Sequence, residues 1–196
     1  AGVPGLKTVN VYLTMYDLYN RKSSMFESDH KKYEQLLMES FNTLKNSDDK
    51  VYAARAFLIM CFYYEKRDYS ENIERFFQKA FEFCEENRFP VFLFFTRNAY
   101  SAYLEKHNML RKAVDEANKA FIFDVNYSFL FSIISLIEHR SQIRIKLEDP
   151  IQEIINDLVM LINIETGIRS SISKVYQNII TLYHEAGKFN DKMEYL

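Results

Sequence analysis

Apolar residues along this chain recur at helical spacing, and short polar breaks interrupt them at a regular interval. Tyr63, Tyr103 and Tyr183 mark that interval, because they lie 40 and then 80 residues apart. Each tyrosine ends an apolar stretch, and a polar break and a second helical stretch follow it. The breaks are residues 65–68, 105–108 and 185–188. The pattern predicts pairs of antiparallel helices joined by short turns.

The stretches that follow the first two breaks have the features of second helices. Asp68 and Glu71 predict a capping-box-like start for the helix after the first break. After the second break, Ala113, Ala117 and Ala120 recur four and then three residues apart. Small side chains at that spacing form a narrow stripe on which a neighbouring helix can pack closely.

The last copy of this pattern resembles the tetratricopeptide repeat, in which aromatic, leucine, glycine and tyrosine positions follow one another at fixed offsets. The residues that fill these positions are Tyr176, Ile179, Ile180, Tyr183, Gly187 and Phe189. Only Ile180 departs from the pattern, because it replaces a small residue at the point where the two helices cross. The resemblance implies an all-α fold, in which helical hairpins stack into a superhelical array.

Extending the interval in both directions predicts a single repeat domain over residues 1–196 with about five hairpins. The fourth hairpin rests on length and apolar periodicity alone, and the fifth is cut short. A shortened last hairpin leaves an apolar face uncovered, so we expect a fragment of a larger protein or an end that contacts a partner. The predicted hairpins are 7–45, 49–86, 90–124, 127–164 and 168–196.

Composition supports helices and argues against several classes of function. The chain has only 4 Gly and 3 Pro, fewer than the tight turns of an all-β or nucleotide-binding fold need. A formal charge of -2 without a basic run predicts no contact with nucleic acid. No apolar run is long enough to span a bilayer. Cys61 and Cys84 lack a CxxC spacing, so we expect two buried free thiols and a cytoplasmic protein.

Catalytic and metal-binding patterns are missing from the sequence. The four histidines show no HExxH spacing, and no glycine-rich phosphate loop or nucleophile-elbow motif occurs. We therefore expect a protein that is not an enzyme and that has no cofactor or metal. His107 occupies the turn-glycine position of its hairpin, which predicts an exposed loop residue.

Polar residues at equivalent positions of the third and fifth hairpins form the candidate ligand site. Asparagine amides there can donate to and accept from the backbone of an extended peptide, and an arginine adds a fork for a carboxylate. The alternative is that these positions belong to an ordinary solvated face. The predicted ligand-binding residues are Arg97, Asn98, Ser101, Lys174, Gln177, Asn178 and Thr181.

Aromatic-rich hairpins of about 40 residues also resemble the sensor domains of bacterial peptide-responsive regulators of the Rap, PlcR and arbitrium-receptor type. That resemblance implies a peptide held in the groove by Asn98 and Asn178, in a domain that regulates transcription through another part of the protein. The alternative is a constitutive scaffold whose surface holds a protein partner or a second copy in a homodimer. No helix-turn-helix motif is recognisable in the sequence.

Overall fold

The computed structural model describes residues 6–21, 30–121, 130–150, 152–157 and 160. Every regular element in these ranges is an α-helix, and none of their residues lies in a strand. The all-α prediction is therefore confirmed for this part of the chain. The array of five hairpins remains a prediction, because the fifth hairpin, 168–196, lies outside the described residues.

Seven helices have defined bounds, and a further helical stretch covers residues 152–157. The first six occupy both arms of the first three predicted hairpins, and α7 and the stretch 152–157 lie within the fourth. The helices are α1 Leu6–Arg21, α2 His30–Lys45, α3 Lys50–Glu65, α4 Glu71–Glu86, α5 Pro90–Lys106, α6 Leu110–Phe121 and α7 Leu130–Lys146.

The starts of α3, α4 and α5 follow from local chemistry. The carboxylate of Asp49 accepts the backbone N–H groups of Val51 and Tyr52, which have no acceptor within the helix. At α4 the capping residue is Ser70, whose hydroxyl accepts the N–H of Asn72. The prediction of Asp68 as the cap was therefore wrong by two residues. At α5, Pro90 stands at the first helical turn, where its missing N–H breaks no hydrogen bond.

Three helices are followed by a residue with positive φ that is not glycine. These residues are Arg88, Asn108 and Glu148, with φ of 55°, 58° and 56°. After Arg88 the N–H of Phe89 donates to the Cys84 carbonyl, and this pairing satisfies an otherwise free carbonyl of the last turn. Arg88, with its positive φ, therefore occupies the position that is glycine in most such helix ends.

The chain divides into two compact units, Ala1–Asn108 and Met109–Leu196. The first unit contains α1 to α5, and the second contains α6, α7 and the helical stretch 152–157. The division falls in the turn of the predicted third hairpin. Each unit has its own buried side chains.

In the first unit, consecutive helices pack in pairs and alternate helices also touch. α1 contacts α2 and α3, and α3 contacts α2, α4 and α5. This arrangement places α1, α3 and α5 side by side, with α2 and α4 against them. Aromatic rings fill the space where α2, α3 and α4 meet, and the centroids of Phe57 and Phe83 lie 4.9 Å apart. Wide aromatic side chains suit such gaps between helices.

Tyr63 and Tyr103, which lie 40 residues apart, make equivalent hydrogen bonds between neighbouring helices. Tyr63 is buried near the end of α3, and its hydroxyl donates to the carboxylate of Glu34 in α2 at 2.6 Å. Tyr103 is buried near the end of α5, and its hydroxyl accepts the Ser70 N–H at the start of α4 at 2.9 Å. Each tyrosine therefore joins the end of one helix to the start of the helix before it.

The ends of α3 and α5 are also joined directly. The ammonium of Lys106 donates to the carbonyls of Lys66 and Arg67 at 2.8 and 2.9 Å, beyond the last turn of α3. Nε2 of His107 lies 2.9 Å from the same Arg67 carbonyl, and its ring contacts the Tyr103 ring edge-on. His107 is half-buried in these contacts, so the prediction of an exposed loop residue was wrong.

In the second unit, α6 packs against α7. Ala113, Ala117 and Ala120 are fully buried, as the alanine stripe predicted. From α7, Leu136 and Ile137 are fully buried as well. Small side chains at three of the buried positions of α6 allow a neighbouring helix to pack closely there.

The two cysteines should be slow to react in the folded protein. Both are free and fully buried, and burial raises the pKa of Cys61 well above its usual value, with the charge of Cys84 as a second cause. Burial raises the pKa of Cys84 to about 12. Because the thiolate is the reactive form, we expect iodoacetamide to modify neither thiol in the native state at mildly alkaline pH and both in urea. Rapid native modification, followed by mass spectrometry, would contradict this.

Removing the Tyr103 hydroxyl should destabilise the first unit, because it leaves the Ser70 N–H without its acceptor. We expect Tyr103→Phe to lower the free energy of unfolding by about 1 kcal/mol. Tyr69→Phe is the matched control, since the Tyr69 hydroxyl bonds to Glu74 on the surface. Urea denaturation of both variants measures the difference, and equal stability of the two would disprove the role given to Tyr103.

Candidate functional site

The first unit leaves one side of α3 and α5 accessible, and that side is mainly apolar. Within each helix, a pair of adjacent residues begins this side, and the later residues that are not buried follow three to four positions apart, as one stripe of a helix requires. The stripe on α3 consists of Val51, Tyr52, Arg55, Leu58 and Phe62, and the stripe on α5 consists of Val91, Phe92, Phe95, Asn98 and Ala102.

The two stripes correspond residue by residue at an offset of 40. Val51 and Val91 are both exposed, at 40% and 38%, and Leu58 and Asn98 are both half-buried. α3 and α5 pack side by side, and the end of α5 is hydrogen-bonded to the end of α3. Residues 40 positions apart in the two helices therefore lie next to each other. The stripes therefore form one continuous surface.

The tyrosines of α1 extend this surface beyond α3. The ring of Tyr12 meets the ring of Tyr52 edge-on, with centroids 5.4 Å apart, and Tyr16 stacks on Tyr12 at 6.2 Å. Tyr16 is 50% exposed. We call the combined surface the aromatic face. It consists of the two stripes together with Tyr12 and Tyr16.

Arg55 is the cation of the aromatic face. Its guanidinium carbon lies 5.5 Å from the centroid of the Tyr12 ring and 5.4 Å from that of Tyr52. In contacts of this kind the positive charge is attracted to the electron-rich face of the ring. The side chain is thereby positioned although the residue is exposed.

The outer side of α4 has the opposite character. Its exposed residues are all polar or charged, and Arg75 forms an ion pair with Glu71 one turn earlier. These residues are Glu71, Asn72, Arg75, Gln78, Lys79, Glu82, Glu85 and Glu86. A soluble helix normally presents such a side to water. The accessible tyrosines, phenylalanines and aliphatic residues of the aromatic face therefore need another explanation.

The predicted ligand residues in α5 occupy three different environments. Asn98 lies half-buried on the aromatic face. Arg97 turns toward α4, where its guanidinium pairs with Glu85 at 3.0 Å and lies 4.5 Å from the centroid of the Phe81 ring. Ser101 is fully buried, so it does not face a ligand on this surface. The remaining predicted residues, Lys174, Gln177, Asn178 and Thr181, lie outside the described residues.

The second unit contains a buried ionic cluster that the sequence analysis did not identify. Arg140 donates from Nε and Nη2 to the two carboxylate oxygens of Asp157, at 3.1 and 2.5 Å. Arg144 pairs with the same carboxylate at 3.2 Å, and the Ser141 hydroxyl lies 3.4 Å from it. Arg140 also donates to the side chain of Asn118 in α6 at 2.9 Å. The cluster thus ties α6, α7 and the stretch 152–157 together.

Because the cluster is buried, each of its charged side chains depends on the others to compensate its charge. The side chains of Arg140 and Asp157 are only 8% and 3% exposed, and Nε of Arg144 is buried without a hydrogen-bond partner. A buried charge is tolerated when partners compensate it. The signal in the sequence was two arginines four residues apart in one helix, which places both on one side of α7.

Neither a metal site nor a membrane-spanning helix occurs in the described part of the chain. No group of three or more His, Cys, Asp or Glu side chains there could hold a metal ion. None of the helices described is long and apolar enough to cross a membrane.

Comparison with known proteins identifies no family for this chain. No protein-family model, no curated protein and no solved structure matches the chain. The resemblance to tetratricopeptide repeats and to regulator sensor domains therefore rests on the sequence positions quoted above.

Neutralising Asp157 should strongly destabilise the second unit. Asp157→Asn leaves two nearly buried guanidinium groups without their shared negative charge, and we expect a loss of about 3 kcal/mol in the free energy of unfolding. Asp115→Asn is the control, because Asp115 is exposed on α6, and its effect should stay below about 0.5 kcal/mol. Urea denaturation followed by circular dichroism measures both. Similar values for the two variants would show that the cluster contributes nothing to stability.

Proposed function

We propose that this chain is a non-catalytic binding module whose aromatic face holds a segment of a peptide or of another protein. The observation that carries the proposal is the contrast between the two sides of the first unit. One side is polar on α4, whereas the other leaves valine, leucine, tyrosine and phenylalanine accessible on three neighbouring helices. Contiguous apolar surface of this kind is typical of interaction sites.

The dimensions of the face suit an extended segment. Packed helices lie about 8–10 Å apart, so equivalent side chains of α1, α3 and α5 form steps of that size. A segment that crosses the helices can place apolar side chains between these steps. The amide of Asn98, half-buried among apolar neighbours, can both donate to and accept from the backbone of such a segment.

The wider arrangement of the chain is part of the same proposal. The packing of α1 to α5, in which alternate helices touch, supports a tetratricopeptide-like array that the later copies would continue. A module of this kind in a peptide-responsive regulator would bind its signal on the aromatic face. Such a protein would act in the cytoplasm and would leave DNA contact to another part of the regulator.

Self-association is the alternative favoured by a specific observation. Leu13 and Tyr16 of α1 are 55% and 50% exposed, and a second copy of the chain could cover them. Sedimentation equilibrium over a range of concentrations distinguishes the two functions. A monomer that binds peptides supports the peptide module, and a dimer lost in Leu13→Lys supports self-association.

Selection from a random dodecapeptide display library tests the binding module. We expect the wild-type chain to enrich peptides that contain apolar and aromatic residues, because these complement the face. Leu58→Glu should weaken the selected peptides roughly tenfold, since it places a charge in the middle of the apolar stripe.

Gln78→Glu is the matched control, because it adds the same charge on the polar side of α4. Fluorescence anisotropy gives the affinities, and melting temperatures show that each variant is folded. The proposal fails if no peptide is enriched, or if the selected peptides bind Leu58→Glu as well as they bind wild type.

A further inference from the structure

We propose that Arg55 recognises a carboxylate in the bound segment, so that the partner is a segment with an acidic residue beside apolar ones. This inference rests on the proposed function, because it assigns the ligand chemistry of the same aromatic face. It follows from how Arg55 is held and from what surrounds it.

The two tyrosines hold the Arg55 guanidinium by ring contacts, and no hydrogen bond of Arg55 lies within the described part of the chain. Tyr12 and Tyr52 lie against Arg55 at 5.5 and 5.4 Å from their ring centroids, and the two rings are inclined at 66° to each other. A cation–π contact is an attraction between the positive charge and the face of the ring, so it does not use the N–H groups of the guanidinium as hydrogen-bond donors. A carboxylate can therefore accept two parallel hydrogen bonds from these N–H groups.

Arg55 differs from three other arginines of the first unit, which pair with acids, whereas Arg88 after α4 has no such pair in the described part of the chain either. Arg67 pairs with Glu34, Arg75 with Glu71, and Arg97 with Glu85. No acid in the described part of the chain pairs with Arg55, whose contacts there are the two tyrosine rings. The aromatic face thus has a positioned cation whose charge no described carboxylate neutralises.

The neighbours of Arg55 favour an acidic group over water alone. Along α3, the stripe positions on either side of it are Tyr52 and Leu58, and the equivalent position of α5 is Phe95. A segment that covers these apolar groups excludes water from the guanidinium, which strengthens its attraction to a negative charge. The same desolvation disfavours a lysine or arginine of the partner at this position.

The test uses the peptides selected from the dodecapeptide library on the wild-type chain. Each selected peptide is synthesised in its original form and with its Asp or Glu replaced by Asn or Gln. Affinities for wild type, Arg55→Gln and Arg55→Lys are measured by fluorescence anisotropy at low and high salt. Arg75→Gln is the matched control, since Arg75 is an exposed arginine on the polar side of α4.

We expect the wild-type chain to enrich acidic peptides and Arg55→Gln to bind them roughly tenfold more weakly, with a smaller loss for Arg55→Lys, which keeps the charge without the fork. Replacing the acidic residue of the peptide should cause a similar loss, and the two changes together should cause little more than either alone. High salt should reduce the wild-type advantage. Arg75→Gln should bind like wild type.

A peptide that loses affinity for Leu58→Glu binds the aromatic face. If such peptides contain no acidic residue, or bind Arg55→Gln as well as wild type, this inference is overturned. The binding-module proposal would still hold in that case. A library that yields no binder would overturn both. Unchanged melting temperatures of the Arg55 variants are expected, because the residue is exposed. A large fall in melting temperature with no specific loss of acidic peptides would assign Arg55 a structural role instead.

Discussion

The packing of the first unit depends on the burial of α3, the helix that α1, α2, α4 and α5 all contact. These neighbours cover most of its surface, and between its two ends the stripe from Val51 to Phe62 is left accessible. Each large side chain buried in this way stabilises the fold by roughly 1.5–3 kcal/mol. The aromatic face exists because the neighbours of α3 leave this side open.

Specific polar contacts fix how the helices around α3 are aligned. Contacts between apolar side chains persist when one helix slides along another. A hydrogen bond at a helix end is lost after a small shift, because it needs a narrow range of distance and angle. Tyr63 and Tyr103 provide such bonds, and Lys106 joins the end of α5 to the end of α3. Equal positions of the two helices consequently stand side by side. Without that alignment the two apolar stripes would not form one surface.

In the second unit, the buried carboxylate of Asp157 connects the helices by pairing with Arg140 and Arg144. Such a cluster contributes less net stability than well-packed apolar side chains would, because its charges lose their hydration on burial. Its geometry is nevertheless demanding, and Asp157 accepts from Arg140 only when α7 and the stretch 152–157 are correctly placed. The alanine stripe of α6, by contrast, allows close approach without selecting a particular alignment.

The sequence by itself determined the helices of the described part of the chain, the turns between them, the alanine stripe and the burial of both cysteines. These depend on periodicity and on local turn residues, which act within a few positions. Tertiary structure decided which way each side chain faces. Arg97, Asn98 and Ser101 are neighbours in sequence, yet they face α4, the open side and the interior, because the packing of α5 sets their surroundings. Arg55 and Tyr12 are 43 positions apart in the sequence, and Arg140 meets Asp157 only through the packing of separate helices, so periodicity alone cannot identify either contact.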